Sequence, residues 1–441
     1  MKRLAAALIL ALLGACGEGR EQPAVKDDAS LAADADISIV GVDELAERFV
    51  KLGLNLGRFD KNYVDAYSGP PAWADDAQPS GLTLDDLEKE ASEILDALDI
   101  LARDGATPRE TGLARNATAA LTRIRMAKGA HYSFDEEARL IYGVAPPSYS
   151  LEAFDSALSD LDALAPGEGA LSERVDAFRA SLAIPDDKLE AVMDAAIAEC
   201  RRRTIVHYDL PENERFVMRT VKDKPWSGYN WYQGDFESII EINTDFPVTI
   251  DRAIRIGCHE GYPGHHVWNV VVDRDLRRAA GWIEFSILPL FSPQAMIGEG
   301  SANYGVELAF PDGERTTFER DVLFPLAGLD PADADRLAAI DEGLNTLAHA
   351  QNHIAREYLD GRIDREAAVE LLQKYGLNSK ERAGQRVDFF DTYRSYIINY
   401  TIGQDLVRAY VDARAAEGLD KWAAFEELLK SPDAAGALLP Q

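Results

Sequence analysis

His259-Glu260-Gly261-Tyr262-Pro263-Gly264-His265-His266 gathers three of the chain's seven histidines into eight residues and sets a carboxylate beside the first of them. Hydrolytic zinc is held by neutral imidazoles and a carboxylate, keeps one position open to water, and works with a further carboxylate that takes a proton from that water. The common helical arrangement places His at i and i+4 with Glu at i+1. Here the i+4 position is Pro263, so a regular helix does not bring two imidazoles together. His266 falls on nearly the same helical face as His259, but seven residues of helix separate them by about 10.5 Å along the axis, too far for one ion. Pro263 removes a backbone donor and Gly264 admits unusual dihedrals, so a widened turn or bulge can swing one of the following histidines back. Either His265 or His266 then joins His259. His265 is preferred, with His266 as the alternate, because excising the Pro-Gly pair restores the His-Glu-x-x-His spacing.

The third ligand is expected downstream. Glu299 opens Glu-Gly-Ser-Ala-Asn-Tyr on an expected helix, with room between it and His265 for a loop and a second helix crossing the first. Glu307 and Asp321 are the alternatives, and in so acidic a chain a solvated face is the ordinary fate of any one helical Glu.

Outward from this segment the apolar period is mostly helical. Leu45, Phe49, Leu52, Leu56 and Phe59 share one face, and Leu84, Leu87, Ala91, Leu95 and Leu98 another, with Thr83 as N-cap. Further helical patterns cover 108–128, 150–165, 170–182 and 186–206, and after Pro247 they cover 250–275, 294–310, 315–326, 332–360, 365–374, 382–413 and 419–430. Between the two groups, 216–218 and 236–243 favour strands, with Trp226, Tyr229, Trp231 and Tyr232 between them, and predict a small sheet or hairpin. The expected fold is mainly α, a helical array with a small β element before the zinc-motif helix. It divides into a helical N-terminal part, 37–207, and a catalytic part, 208–441.

Residues 1–15 read as a signal peptide: Lys2 and Arg3 precede an apolar run, Leu4 to Leu13, that is too short to span a bilayer. Leu13-Gly14-Ala15-Cys16 resembles the bacterial lipobox, which implies lipid on Cys16, a flexible tether over 16–36, and export to the periplasmic face of the outer or inner membrane. Acidic residues outnumber basic ones 76 to 46, for a net charge of -30. That balance argues against a nucleic-acid partner, since no basic stripe is present to meet phosphates. Cys200 and Cys258 read as two buried free thiols, although an export compartment permits a disulfide.

With these residues in place, the chain resembles a bacterial family known as domain of unknown function 885, often exported lipoproteins. The string His259 to His266 matches its His-Glu-x-x-Pro-Gly-His-His signature, Glu299-Gly300-x-Ala302-x-Tyr304 its Glu-Gly-Trp-Ala-Leu-Tyr block, and Tyr400-x-Ile402-Gly403 its C-terminal Tyr-x-Ile-Gly. The resemblance is specific over about 240–405. It implies a largely helical, zincin-like fold with a glutamate third ligand, and a hydrolase. Ser301 and Asn303 depart from the block, the following acid falls one residue late at Glu307, and Trp268 stands where Gln is usual. These departures concern substrate shape rather than the ligands.

Chemistry then suggests roles. Glu260 would take the proton of the attacking water and pass it to the leaving amine. Tyr400 would donate to the oxyanion, with Tyr396 and His353 behind it as substrate-binding groups. Arg394 would hold a substrate carboxylate, with a structural ion pair as its alternative. The edge of strand 236–243 would accept an extended peptide. The expected function is a zinc-dependent peptidase with a peptide substrate and a membrane link through lipid alone. A metal-free peptide-binding lipoprotein and a zinc esterase or cell-wall amidase are the alternatives. Glu260 favours an enzyme, because a purely structural zinc site has no use for a base beside its ligand.

Overall fold

Side-chain oxygens set several helix starts in the first part of the chain. The Thr83 hydroxyl accepts from the Asp86 N–H while the Asp86 carboxylate accepts from the Thr83 N–H, and the same reciprocal cap recurs at Thr107/Glu110 and Ser133/Glu136. These caps open α2 (Leu84–Leu101), α3 (Pro108–Ala127) and α4 (Phe134–Tyr142); α1 (Val42–Leu56) precedes them and α5 (Asp186–Ile205) follows. The computed structural model describes residues 40–224, 228–245 and 247–438. The expected leader, Cys16, the tether and Trp226 lie outside these residues.

α1 buries Leu45, Phe49, Leu52 and Leu56 as the period predicts, whereas Phe59 lies past its end and is exposed. α4 is an addition to the expected helices, short but anchored by buried Phe134, Ala138, Ile141 and Tyr142.

The β element is a three-stranded sheet of β2 (Arg215–Val221), β3 (Gly228–Gly234) and β4 (Glu237–Asn243), in the order β2-β4-β3. β4 runs parallel to β2 and antiparallel to β3. The strand expected to offer an edge is therefore the central one, and its backbone groups are taken on both sides. Tyr229, Trp231 and Tyr232 do not link the strands; they lie on β3, at the sheet's edge. A separate pair joins β1 (Val64–Tyr67) to β5 (Ile287–Pro289), far apart in sequence.

The helix expected over 250–275 is broken. α6 (Ile250–Ile256) runs into a π-helical turn, Gly257–Gly261, followed by a cis Tyr262–Pro263 peptide and α7 (His265–Val271). Gly264 closes the bend so tightly that a Cβ there would lie 1.9 Å from the His259 carbonyl oxygen. α8 (Pro293–Ala309) crosses this segment, and α9 (Ala334–Leu359), α10 (Lys380–Tyr393) and α11 (Ile398–Ala416) complete the surroundings. The pattern over 382–413 divides into α10 and α11 at Arg394, whose φ of 51° ends the first helix.

α8 and α11 meet backbone to backbone. A Cβ on Gly300 would approach the Gly403 carbonyl carbon to 2.5 Å, and one on Gly403 would approach the Met296 carbonyl oxygen to 2.9 Å. Glycine at both positions permits this close approach. Cys200 on α5 and Cys258 in the π turn form a disulfide with Cα atoms 5.4 Å apart, which corrects the reading of two free thiols. α5 passes directly over the turn, where a Cβ on Gly257 would meet the Ile197 side chain at 3.3 Å, and this proximity puts the bridge within reach.

Candidate metal centre

The widened turn brings His265, rather than His266, back to His259. Their rings lie perpendicular with centroids 4.7 Å apart, and α8 supplies Glu299 opposite them. Glu299 Oε2 is 3.5 Å from His259 Nε2 and 3.7 Å from His265 Nε2, and one ligand atom from each of the three residues falls within 4.8 Å of the others. Ligands held tetrahedrally at ~2.0–2.1 Å stand roughly 3.3–3.4 Å apart, so the trio is close to the dimensions a zinc ion requires. Glu299 Oε1 accepts from the Tyr396 hydroxyl at 2.8 Å, whereas buried Oε2 has no hydrogen-bond partner. An orphaned buried carboxylate oxygen is costly unless a cation meets it, and this one faces both imidazoles. The residues present fit a zinc ion.

The local electrostatics also favour a cation. Burial works against the Glu299 anion, yet the adjacent His259 and His265 imidazoles hold its carboxyl well below the usual range. Burial works against a charged His265 too, but the Glu299 carboxylate, followed by Glu260 and Asp65, pushes its pKa up to about 9. Three carboxylates thus create a field that holds a proton where a metal would displace it.

Glu260 Oε1 stands 4.0 Å from His259 Nε2. β3 confines this side chain: a Cβ on Gly228 would lie 3.3 Å from Glu260 Oε1, so glycine leaves the carboxylate its space. Asn230 Nδ2 donates to the Glu260 carbonyl at 2.7 Å and ties the π turn to β3. Tyr396 and Tyr400 pack ring to ring at 5.8 Å, and burial together with the nearby Glu299 charge raises both phenols well above their ordinary value. Both hydroxyls keep their protons and can serve as donors. Asn303 Nδ2 donates to the Tyr400 carbonyl at 2.9 Å, and Trp268 packs over Gly298, so both residues brace α8.

Other expected residues lie elsewhere or are otherwise engaged. His266 is fully buried with Nδ1 on Ser238 Oγ and Nε2 on Glu214 Oε2, each at 2.8 Å, so neither nitrogen is open to a metal. Tyr396 spends its hydroxyl on Glu299. His353 is surrounded by Glu357, Arg356, Arg362 and Glu152, none of them part of the His259–Glu299 group. Arg394 is neutralised by Glu137 at 2.5 Å, an acid that also receives the Ser395 N–H and hydroxyl, so the ion-pair alternative describes it. Glu307 pairs with Arg408 and Asp321 is exposed.

Two groups escaped the sequence. Asp65 on β1 accepts from the Tyr229 hydroxyl on β3, and its charge is felt by His265. Glu214 accepts from His266, from Tyr262 at 2.6 Å and from Arg201 at 2.8 Å, forming a buried knot behind the turn. Nothing in the spacing marked either acid, because each meets its partners only through the fold.

No family model matches this chain, and no curated protein does either. Among solved structures, a chain from Colwellia psychrerythraea described as a lipoprotein matches with a TM-score of 0.51 at 15% identity, over 90% of this chain and 75% of that one. The two share a fold. A chain from Shewanella oneidensis, described as a lipoprotein of unknown function, matches at 0.48 with 13% identity over 83% and 75%. An M32 carboxypeptidase from Deinococcus radiodurans R1 matches at 0.35 with 15% identity over 89% and 87%. Among the described residues no helix is long and apolar enough to cross a membrane.

Proposed function

We propose that this chain is a zinc-dependent peptidase in which His259, His265 and Glu299 hold the metal. The observation that carries the reading is the orphaned Glu299 Oε2, facing two imidazole Nε2 atoms beside Glu260. Zinc supplies Lewis-acid polarisation and water activation when bound. Glu260 takes a proton from the attacking water and delivers it to the leaving amine. The Tyr400 hydroxyl donates to the developing oxyanion. Tyr396 fixes the orientation of Glu299 from behind. β3 has its outer side unpaired among the described residues and runs past Glu260, which suits it to hold an extended peptide. The resemblance of the histidine string and the Glu299 block to domain of unknown function 885, and through it to the zincins, supports the same reading.

Lipid attachment at Cys16 and display at the periplasmic face belong to this proposal, supported by Leu13-Gly14-Ala15-Cys16. Cys16→Ser is expected to release the protein from the membrane fraction or leave its leader uncleaved. A wild-type protein that is fully soluble with an unmodified N-terminus would count against the anchor.

The test of function combines metal content with turnover. Protein purified without added metal is expected to carry about one zinc per chain, lost in His259→Ala. Glu260→Gln is expected to keep its zinc while its rate falls ~10²–10⁴-fold, as for a lost general base. Tyr400→Phe should lower kcat with little change in KM. A zinc-replete wild type that retains peptides from a mixed library but cleaves none would establish a binding protein instead.

A further inference from the structure

Arg386 is a cation with no carboxylate paired to it among the described residues. It lies on α10, half-buried, with its guanidinium over the rings of Phe389 at 4.8 Å and Phe390 at 5.9 Å. Its Nε donates to Gln351 Oε1 on α9 at 2.8 Å, which fixes the orientation of the fork. Both Nη groups lack a hydrogen-bond partner among the described residues, and no carboxylate pairs with them. In a chain where acids outnumber bases 76 to 46, most arginines meet a carboxylate, and Arg386 does not. Other arginines near the site conform: Arg394 meets Glu137, Arg201 meets Glu214 and Arg356 meets Asp135. A crowded guanidinium without an opposing charge is unfavourable, and a purely structural role would be served as well by an ion pair.

The surroundings connect this cation to the candidate metal centre. Besides Gln351, the titratable group that faces Arg386 is Tyr400, and Tyr400 in turn faces Glu299 and Glu260. From Phe389 the rings of Tyr393, Tyr396 and Tyr400 follow at centroid spacings of 4.7, 6.0 and 5.8 Å, and the Tyr396 hydroxyl ends on Glu299. An aromatic wall therefore leads from the guanidinium to the carboxylate that would hold zinc.

We propose that Arg386 receives the free C-terminal carboxylate of a peptide substrate, with its last side chain along the Phe389–Tyr393–Tyr396 wall, so that the enzyme removes residues from C-terminal ends. The proposal rests on the peptidase reading above and narrows its substrate class. A guanidinium fork whose two Nη groups are unpartnered matches a carboxylate bidentately, and the net negative protein offers such an anion little other attraction. It also reassigns the role expected of Arg394, whose charge is already satisfied.

The test uses zinc-loaded full-length protein and three peptides that are identical up to their last residue and whose last peptide bond is a reduced amide. The first ends in a free acid, the second in a terminal amide, and the third in an amide with Asp as its last residue. Calorimetry is expected to show wild type binding the acid at least about tenfold more tightly than the amide, with the Asp amide no better than the amide. Arg386→Gln should erase the preference and Arg386→Lys should restore part of it. Equal binding of acid and amide by wild type overturns the proposal, and this comparison needs no variant to fold. So does failure to bind either peptide, a preference that survives Arg386→Gln, or an Asp amide that matches the acid. Hydrolysis of the corresponding ordinary peptides is followed separately by mass spectrometry. Acid preference without hydrolysis removes the peptidase reading and leaves Arg386 as a carboxylate receptor; hydrolysis without acid preference does the reverse.

Discussion

His265 and His266 are adjacent, chemically identical side chains with opposite surroundings, and their separation is testable. His265→Gln should lose zinc. His266→Gln should keep the metal-facing atoms in place but strip a buried acid, Glu214, of one donor, at a stability cost approaching the ~3–5 kcal/mol of a broken buried pair. Elemental analysis beside a thermal melt separates the two, and zinc loss in His266→Gln at a temperature where it is folded would contradict the assignment. Glu214 itself predicts a pH dependence. Burial would raise its pKa, but hydrogen bonds from His266, Tyr262 and Arg201 hold it at about 2, below its ordinary value of 4.5. A carboxyl depressed in this way stabilises the fold fully above about 4.5, and that contribution is lost as pH falls toward 2. Urea unfolding from pH 6 to 2 should therefore show wild-type stability converging on that of Glu214→Gln; a constant gap would count against the knot. At this scale the cluster of His259, His265 and Glu299 was legible because zinc chemistry restricts residue types and spacing. Asp65 was not, being one acid among many on a four-residue strand.

Among the elements, periodicity revealed most of the helices but not their interruptions. The break at Arg394 comes from a left-handed residue whose side chain serves Glu137, a partner more than 250 residues away in sequence, and no local pattern records it. The break at Gly257–Gly261 was foreshadowed by Pro263 and Gly264, and its purpose, returning His265 to His259, followed from their geometry. The α8–α11 seam supplies the matching prediction. Gly300→Ala places a Cβ 2.5 Å from the Gly403 carbonyl carbon, so the helices must separate and carry Tyr396 and Tyr400 away from Glu299. We expect about 1–3 kcal/mol of destabilisation together with weaker zinc retention against a chelator. Gly384→Ala, at a helical position with open space around it, is the control and should change neither.

Across the whole molecule, the division near residue 207 remains a proposal, and the ties across it are specific. β1 pairs with β5, Arg109 meets the buried Glu284 at 2.7 Å, and Arg356 meets Asp135 at 2.8 Å. The segment 208–441 expressed alone lacks Asp65 and these partners, and is expected to be aggregated or molten, with broad NMR lines and no stoichiometric zinc; a cooperative zinc-binding fragment would show that the second part is self-sufficient. Composition and period sufficed for fold class because helical packing is written locally. Strand pairing at long range and the Cys200–Cys258 bridge were beyond it. That bridge closes a separation of 58 residues, worth about 4 kcal/mol in the chain-entropy account, and its second cysteine is the immediate neighbour of His259. Disulfides are rare in the reducing cytosol and persist after export. The bridge thus ties the turn that carries His259 to α5, and its reduction is expected to loosen that turn.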